Sequence, residues 1–249
     1  MKMFRYEFGG GGSKGLWLHG WMGSGEDGKI VQAQLGAGTC LCCPDLPGHG
    51  NTPLAGWRLM DTLAHIAELA QGCRWVGGYS MGGRLLMMAA AKYPEAFHRL
   101  VIESASLGLA NAAARTERRN LDQQRADQLR AEGLNAFCRR WYQMEMWGGF
   151  QDFPERKGEV EDLAGALMCY SVAHQPDLRQ WITTTPCRML WIAGQRDRVY
   201  VEQADWVKGH TRHDVRILDA GHNVHAQQGE AWAEAVGGWL NGGGGGAQQ

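Results

Sequence analysis

The sequence predicts an α/β fold, in which a mostly parallel central sheet is flanked by helices and carries an inserted helical segment. Short apolar runs that end in glycine or proline turns alternate with longer segments of helical spacing. From Leu107 to Ile182 this alternation stops, because the sequence there is helical in pattern and has no convincing strand. At 249 residues the chain is long enough for one large domain with an insertion.

Six predicted strands are short, apolar and followed by a loop: Leu16 to His19, Thr39 to Cys43, Trp75 to Gly78, Leu100 to Glu103, Met189 to Ala193 and Val215 to Leu218. Between them, three segments carry apolar residues at helical spacing: Thr62 to Gln71, Gly83 to Lys92 and Ala204 to Lys208. Together they predict the strands and helices of the central sheet domain.

The order of these segments divides the chain into a split core and a cap. We expect residues 1–106 and 183–241 to form the core, residues 107–182 to form a helical cap over the strand ends, and residues 242–249 to form a flexible tail. The glycines at 9–12 are expected to form a tight loop between an N-terminal strand and the next strand.

Composition excludes several kinds of partner. With 25 Lys and Arg against 26 Asp and Glu, no overall field favours nucleic acid or an anionic membrane. The N-terminus lacks the apolar stretch of a secretory signal, so a cytoplasmic protein is expected. The seven cysteines have no disulfide-framework spacing, and Cys40 and Cys43 lack the second pair that a zinc site needs, so no metal is expected. The oligomeric state stays open.

The pattern Gly-x-Ser-x-Gly occurs twice, around Ser13 and around Ser80. A nucleophile elbow needs a strand entering the serine and a helix leaving it, because the strained turn is held between those two elements. Only Ser80 has both, with Trp75 to Gly78 before it and a strong helix former from Gly83 onward. Ser80 is therefore the predicted nucleophile or base.

A serine hydroxyl needs a partner that accepts its proton, and that partner needs an orienting carboxylate. His222 follows the last predicted strand and Asp197 follows the strand before it. Serine, then aspartate, then histidine is the chain order found in α/β hydrolases. We predict a Ser80, His222 and Asp197 triad, and the alternative acids are Asp205, Glu202 and Asp219.

An oxyanion hole needs two backbone N–H groups, one after the nucleophile and one from the loop after an early strand. Met81 supplies the first and Trp21 the second. His19, at the end of that early strand, is expected to brace the loop.

These residues resemble the MenH family of menaquinone and phylloquinone biosynthesis, the 2-succinyl-6-hydroxy-2,4-cyclohexadiene-1-carboxylate synthases, which have an α/β-hydrolase fold. The resemblance runs through most of the chain and rests on these segments: LHGWMGSGEDG at 18–28, DLPGHG at 45–50, VGGYSMGGRLLMMAA at 76–90, NAAARTERRNLD at 111–122, WYQ at 141–143, QPDLR at 175–179, GQRD at 194–197 and AGHNVH at 220–225.

The resemblance implies a lyase that removes a ring proton from 2-succinyl-5-enolpyruvyl-6-hydroxy-3-cyclohexene-1-carboxylate and expels pyruvate, with no cofactor. Its small-molecule substrate carries several carboxylates, which guanidinium groups bind well. By the same resemblance, the substrate-binding residues are Tyr79, Arg84, Arg118, Trp141 and, by a looser match, Arg156.

Two alternatives remain open from the sequence. One is a serine esterase or carbon–carbon bond hydrolase, in which Ser80 attacks a carbonyl or the triad activates water, since fold alone does not fix chemistry. The other is a non-enzymatic relative that binds a ligand or a protein. Turnover that depends on Ser80 would separate the two.

Overall fold

The computed structural model describes residues 1–242, so the predicted tail lies outside the described residues from position 243 onward. It has one seven-stranded sheet in the order β1-β3-β2-β4-β5-β6-β7. The strands are β1 (Arg5–Phe8), β2 (Ser13–Leu18), β3 (Thr39–Pro44), β4 (Trp75–Tyr79), β5 (Arg99–Glu103), β6 (Arg188–Gly194) and β7 (Asp214–Leu218). Only β1 pairs antiparallel, with β3. The predicted α/β fold, with a mostly parallel central sheet flanked by helices, is confirmed.

The helices of the core are α1 (Gly28–Leu35), α2 (Leu59–Ala70), α3 (Met81–Lys92), α8 (Arg198–His210), α9 (Val224–Gln227) and α10 (Gly229–Asn241). Between β5 and β6 lie α4 (Ala112–Glu132), α5 (Leu134–Trp141), α6 (Val160–Cys169) and α7 (Arg179–Thr184). Short 3-10 turns occur at Gly25–Asp27, Pro94–Ala96, Glu145–Trp147 and Val172–His174.

The central strands are buried on both faces, which is why their sequences read as continuous apolar runs. Every residue of β4 is buried, and β5 is buried from its second residue onward. The parallel register aligns Gly78 with Leu18 and Tyr79 with Glu103. The loops that follow β2, β4 and β5 therefore leave the sheet side by side.

The chain runs from β2 to β3 on one side and then crosses to β4 on the other side of β2. Such a reversal of strand order opens a crevice at the carboxyl ends of the strands, where ligands of open α/β sheets bind. Ser80 follows β4 and Trp21 follows β2, so both lie at this crevice.

All six predicted strands are present, with ends that shift by up to three residues. The helix after Ser80 begins at Met81, two residues before the predicted start. The helix predicted at Ala204 to Lys208 is longer and spans Arg198–His210. The glycines at 9–12 do form the loop between β1 and β2. These two strands are not neighbours in the sheet, because β1 lies at the edge and pairs with β3.

The segment between β5 and β6 contains helices, turns and loops only, as the helical pattern predicts. Its helices pack around a small apolar cluster in which Phe137 and Leu163 meet Met22, a residue of the loop after β2. This contact places the helical segment directly over the strand ends. The boundaries at 107 and 182 stay a prediction. Within residues 1–242, the helices are all too short or too polar to cross a bilayer.

Candidate active site

Ser80 sits on a strained turn between β4 and α3. Its backbone has φ 52° and ψ −110°, a conformation with positive φ that side chains with a Cβ rarely adopt. Gly78 allows the close approach of strand and helix, because a Cβ there would lie 2.7 Å from the backbone carbon of Gly82. The backbone N–H of Ser80 donates to the carbonyl of Glu103 at 2.8 Å, which fixes the turn to β5. The turn presents the hydroxyl at the crevice.

The structure brings Ser80, His222 and Asp197 together in one hydrogen-bonded chain. His222 Nε2 lies 2.9 Å from Ser80 Oγ, and His222 Nδ1 lies 2.6 Å from Asp197 Oδ2. When Nδ1 carries the proton and donates a hydrogen bond to the carboxylate, Nε2 is free to accept a hydrogen bond from the serine hydroxyl. This arrangement can draw a proton from Ser80.

Burial keeps this chain of groups in place. The side chains of His222 and Asp197 are 2% and 3% exposed. The backbone N–H of His222 donates to the carbonyl of Met146 at 2.8 Å. The helical segment between β5 and β6 therefore fixes the loop that carries His222. Of the alternative acids, Asp219 is 72% exposed and pairs with Arg196, so it does not compete for the histidine.

Glu103, the last residue of β5, is a buried carboxylate that positions the loop carrying His222. The sequence analysis did not single it out. One oxygen of Glu103 accepts hydrogen bonds from the N–H of Val224 at 2.8 Å and from Nδ1 of His225 at 2.8 Å. Because the same residue's carbonyl holds Ser80, Glu103 ties the serine turn to the loop that carries His222. An acidic residue at the end of an otherwise apolar strand is the signal that could have identified it.

The backbone N–H groups of Trp21 and Met81 are available for an oxyanion. Neither donates to another group of the described residues 1–242. The loop reaches Ser80 because Gly20 has no side chain: a Cβ there would lie 2.7 Å from Tyr79 Cε1. His19 donates from Nδ1 to the carbonyl of Gly20 at 2.7 Å and accepts the N–H of Leu46 at 3.0 Å. His19 therefore braces this loop, as expected.

Ser80 and His222 open into a cavity of about 250 Å³ beneath the helical segment. The cavity is also lined by four residues that the resemblance implied as substrate-binding: Tyr79, Arg84, Arg118 and Trp141. Residues that the sequence analysis missed complete its wall, among them Arg125, Met146, Trp147 and Tyr200. The ring of Tyr200 lies 4.8 Å from the ring of His222.

Cationic side chains dominate one side of this cavity. Arg84 is buried and donates to the carbonyl of Tyr170 at 2.8 Å. Its burial and the neighbouring Arg118 lower the pKa of Arg84 to about 10, so it stays charged at neutral pH. Arg118 donates from Nε to both oxygens of Asp122 at 2.9 Å. The cavity is thus built to hold negative charge.

Arg156, the looser match from the resemblance, does not line this cavity. Its guanidinium donates to Asp27 at 2.7 Å and to the hydroxyl of Tyr142 at 2.8 Å. The ion pair is largely buried, with side chains 10% and 19% exposed, which makes it costly to break. The structure therefore places Arg156 as a tie between the helical segment and the loop after β2.

Metal-binding geometry is not found in the described part of the chain, where no three His, Cys, Asp or Glu side chains are grouped as a metal ion requires. Cys40, Cys42 and Cys43 lie on β3 as predicted, and the described cysteines are free thiols. Burial raises the pKa of Cys42 to about 11, so this thiol is protonated and unreactive at neutral pH.

Known proteins are similar to this chain over most of its length. Residues 9–235 match the model of the alpha/beta hydrolase family. A 2-succinyl-6-hydroxy-2,4-cyclohexadiene-1-carboxylate synthase from Salmonella agona is 31% identical over 224 residues, which is 85% of this chain and 87% of the relative. The protein of that name from Salmonella arizonae matches at the same identity and coverage.

Solved structures show the same fold. The structure of MenH from S. aureus superposes with a TM-score of 0.86, at 20% identity and covering 97% of this chain and 99% of that one. A thermophilic esterase from Thermogutta terrifontis superposes with a TM-score of 0.75, at 21% identity, 96% of this chain and 93% of that one. At these identities the two structures establish the fold, which serves both kinds of enzyme.

Proposed function

The chain belongs to the 2-succinyl-6-hydroxy-2,4-cyclohexadiene-1-carboxylate synthases of the alpha/beta hydrolase family, and we propose that it eliminates pyruvate from 2-succinyl-5-enolpyruvyl-6-hydroxy-3-cyclohexene-1-carboxylate. This is a carbon–oxygen lyase step of menaquinone biosynthesis. The observation that carries the proposal is the cavity itself, in which Ser80 and His222 face Arg84 and Arg118. A neutral ester needs no such pair of cations, whereas a polycarboxylate does.

The proposed chemistry begins with removal of a ring proton. His222, oriented by Asp197, draws the proton from Ser80, and the serine oxygen takes the proton from the ring carbon that bears the succinyl group. That C–H bond is weakened because the negative charge delocalises into the adjacent ketone. The hydrogen bonds of the triad, 2.9 Å and 2.6 Å long, provide the route for the proton to reach His222.

The elimination then follows by electron shift around the ring. The electron pair of the broken C–H bond forms a double bond to the next carbon, the existing ring double bond moves by one position, and the bond to the enolpyruvyl oxygen breaks. Enolpyruvate leaves and becomes pyruvate on protonation, and the ring keeps a conjugated diene. No metal or organic cofactor takes part in the proposed step.

The oxyanion formed on the succinyl ketone needs donors that are already in place. The free N–H groups of Trp21 and Met81 point to this role, since both are fixed by the fold and neither is used by another group of residues 1–242. Removing one such donor typically costs about 3 to 4 kcal/mol of transition-state stabilisation. Tyr79 and Trp141 are proposed to position the substrate from the cavity wall.

The direct test is to supply the enolpyruvyl cyclohexene substrate and to follow diene absorbance and pyruvate together. We expect one pyruvate for each diene formed. A protein that releases no pyruvate but rapidly hydrolyses simple aryl esters, with a burst of acyl-enzyme formation, would instead be the serine hydrolase of the alternative reading.

Arg118 provides a separate prediction for substrate binding. Replacing Arg118 by alanine removes a guanidinium that would form charge-assisted hydrogen bonds to a substrate carboxylate, and we expect KM to rise about 10- to 100-fold with a smaller change in kcat. Steady-state pyruvate release measures both constants. Arg119→Ala is the matched control, because Arg119 is exposed on the same helix and does not line the cavity. An Arg118→Ala variant with the KM of the control would rule out this contact.

A further inference from the structure

Arg125 shares the cavity wall with the reacting groups, although neither motif matching nor the resemblance indicated it. It lies on α4 and lines the same cavity as Ser80, His222, Arg84 and Arg118. Its guanidinium carbon lies 5.0 Å from the centre of the Trp141 ring, which holds the planar group by a cation–π contact. The side chain is 18% exposed, so it is mostly withdrawn from solvent.

The donors of Arg125 are largely unused. Within residues 1–242 its single hydrogen bond runs from an Nη atom to Asp122 at 3.4 Å, which is long for a charge-assisted bond. Burial and the nearby Arg118 lower the pKa of Arg125. A desolvated guanidinium with one weak contact is poorly compensated, so a bound anion would stabilise it.

Asp122 does not fully neutralise the positive charge of Arg125. This carboxylate is fully buried and already accepts from Arg118 Nε at 2.9 Å and from the hydroxyl of Ser171 at 2.7 Å. Arg118 and Arg125 therefore share one carboxylate, and within residues 1–242 Arg84 pairs with none. Asp197 is the other carboxylate at this cavity, so three arginines minus two carboxylates leave a net charge of plus one before substrate binds.

The substrate of the proposed reaction has three carboxylates, on the succinyl arm, on the ring and on the enolpyruvyl group. Arg84 and Arg118 can bind two of these carboxylates. Arg156, which the resemblance suggested for a third, is held by Asp27 and Tyr142 outside the cavity. We infer that Arg125 is a substrate-binding residue that takes one carboxylate of this substrate while Trp141 fixes the plane of its guanidinium. This inference rests on the proposed function for the identity of the substrate.

The test compares Arg125→Ala and Arg125→Lys with Arg119→Ala, the exposed control on the same helix. In the pyruvate assay we expect Arg125→Ala to raise KM about 10- to 100-fold with a smaller effect on kcat. Arg125→Lys should recover part of this loss, because lysine restores the charge without the bidentate fork. The control should stay within about twofold of the parent protein.

A merely structural role of Arg125 is separated by the salt dependence of KM. If Arg125 contacts a carboxylate, its removal takes away one charge interaction, so KM of Arg125→Ala should rise less steeply with ionic strength than KM of the parent. Substrate binding to Ser80→Ala, measured by calorimetry with and without Arg125→Ala, gives the same comparison without turnover. We expect about tenfold weaker binding in the double variant.

Two failures can be distinguished. If the unaltered protein releases no pyruvate, the proposed function is wrong. If the unaltered protein does release pyruvate, but Arg125→Ala keeps the KM and salt dependence of Arg119→Ala, the role of Arg125 is wrong. Should Arg125→Ala melt well below the parent, Arg125→Gln removes the charge at similar length, and its KM decides the question.

Discussion

Replacing Ser80 by alanine is expected to lower kcat for pyruvate release by roughly 10³- to 10⁶-fold. Removing the reacting hydroxyl takes away the group that His222 activates, and removal of a triad serine has costs of this size in other enzymes. The cavity and its arginines remain, so substrate binding should be retained. Steady-state pyruvate release measures the first effect, and calorimetry with the substrate measures the second.

The sequence offers a matched control for this variant. Ser13 sits in the other Gly-x-Ser-x-Gly pattern but is the first residue of β2, so it does not lie on a strand-to-helix turn. Ser13→Ala should therefore keep parental kcat and KM. If Ser80→Ala retained parental rates, Ser80 would not be the reacting group, and neither the proton-abstraction mechanism nor the esterase alternative would hold.

The fold could be predicted because its central strands are buried on both faces. Their apolar runs and glycine turns are local features that survive without tertiary information. The sequence does not predict helix α10, because Gly237 and Gly238 weaken its local helix preference. The helix is stabilised instead by burial of Trp232 and Trp239 against the core. That contribution depends on the sheet being formed.

The triad was predictable for a different reason. Each of its three residues follows a strand, and parallel strands bring their carboxyl ends to one edge of the sheet. The positions of these residues after successive strands therefore predict that they lie close together. Ser80 and His222 are in contact although they are 142 positions apart in the chain. In the sequence, position alone favours Asp197 over the alternative acids, and the structure places its carboxylate 2.6 Å from Nδ1 of His222.

The residues contributed by the helical segment were harder to predict. Arg118, Asp122 and Arg125 are spaced by four and three residues, which places them on one face of α4. That spacing was visible, but which face meets Ser80 depends on how the segment folds back over the core. The contact of Arg156 with Asp27, 129 positions earlier, depends on the same tertiary packing and was not visible in the sequence.

Replacing Asp197 by asparagine is expected to lower kcat by roughly 10³- to 10⁴-fold while leaving the fold intact. Asparagine is the same size, but its amide can donate a hydrogen bond to Nδ1 of His222. The histidine would then carry its proton on Nε2, and that atom could no longer accept the proton of Ser80. Asparagine would fill the same space next to His222, so thermal melting should change little.

The control for Asp197 is Asp219→Asn, which makes the same chemical change at an exposed acid that pairs with Arg196. It should keep parental kinetics. Because the tautomer argument acts on kcat and not on carboxylate binding, Asp197→Asn should also keep KM near the parental value. If Asp197→Asn instead raised KM and left kcat unchanged, the contact with His222 would be structural, and the proton would have to leave Ser80 by another route.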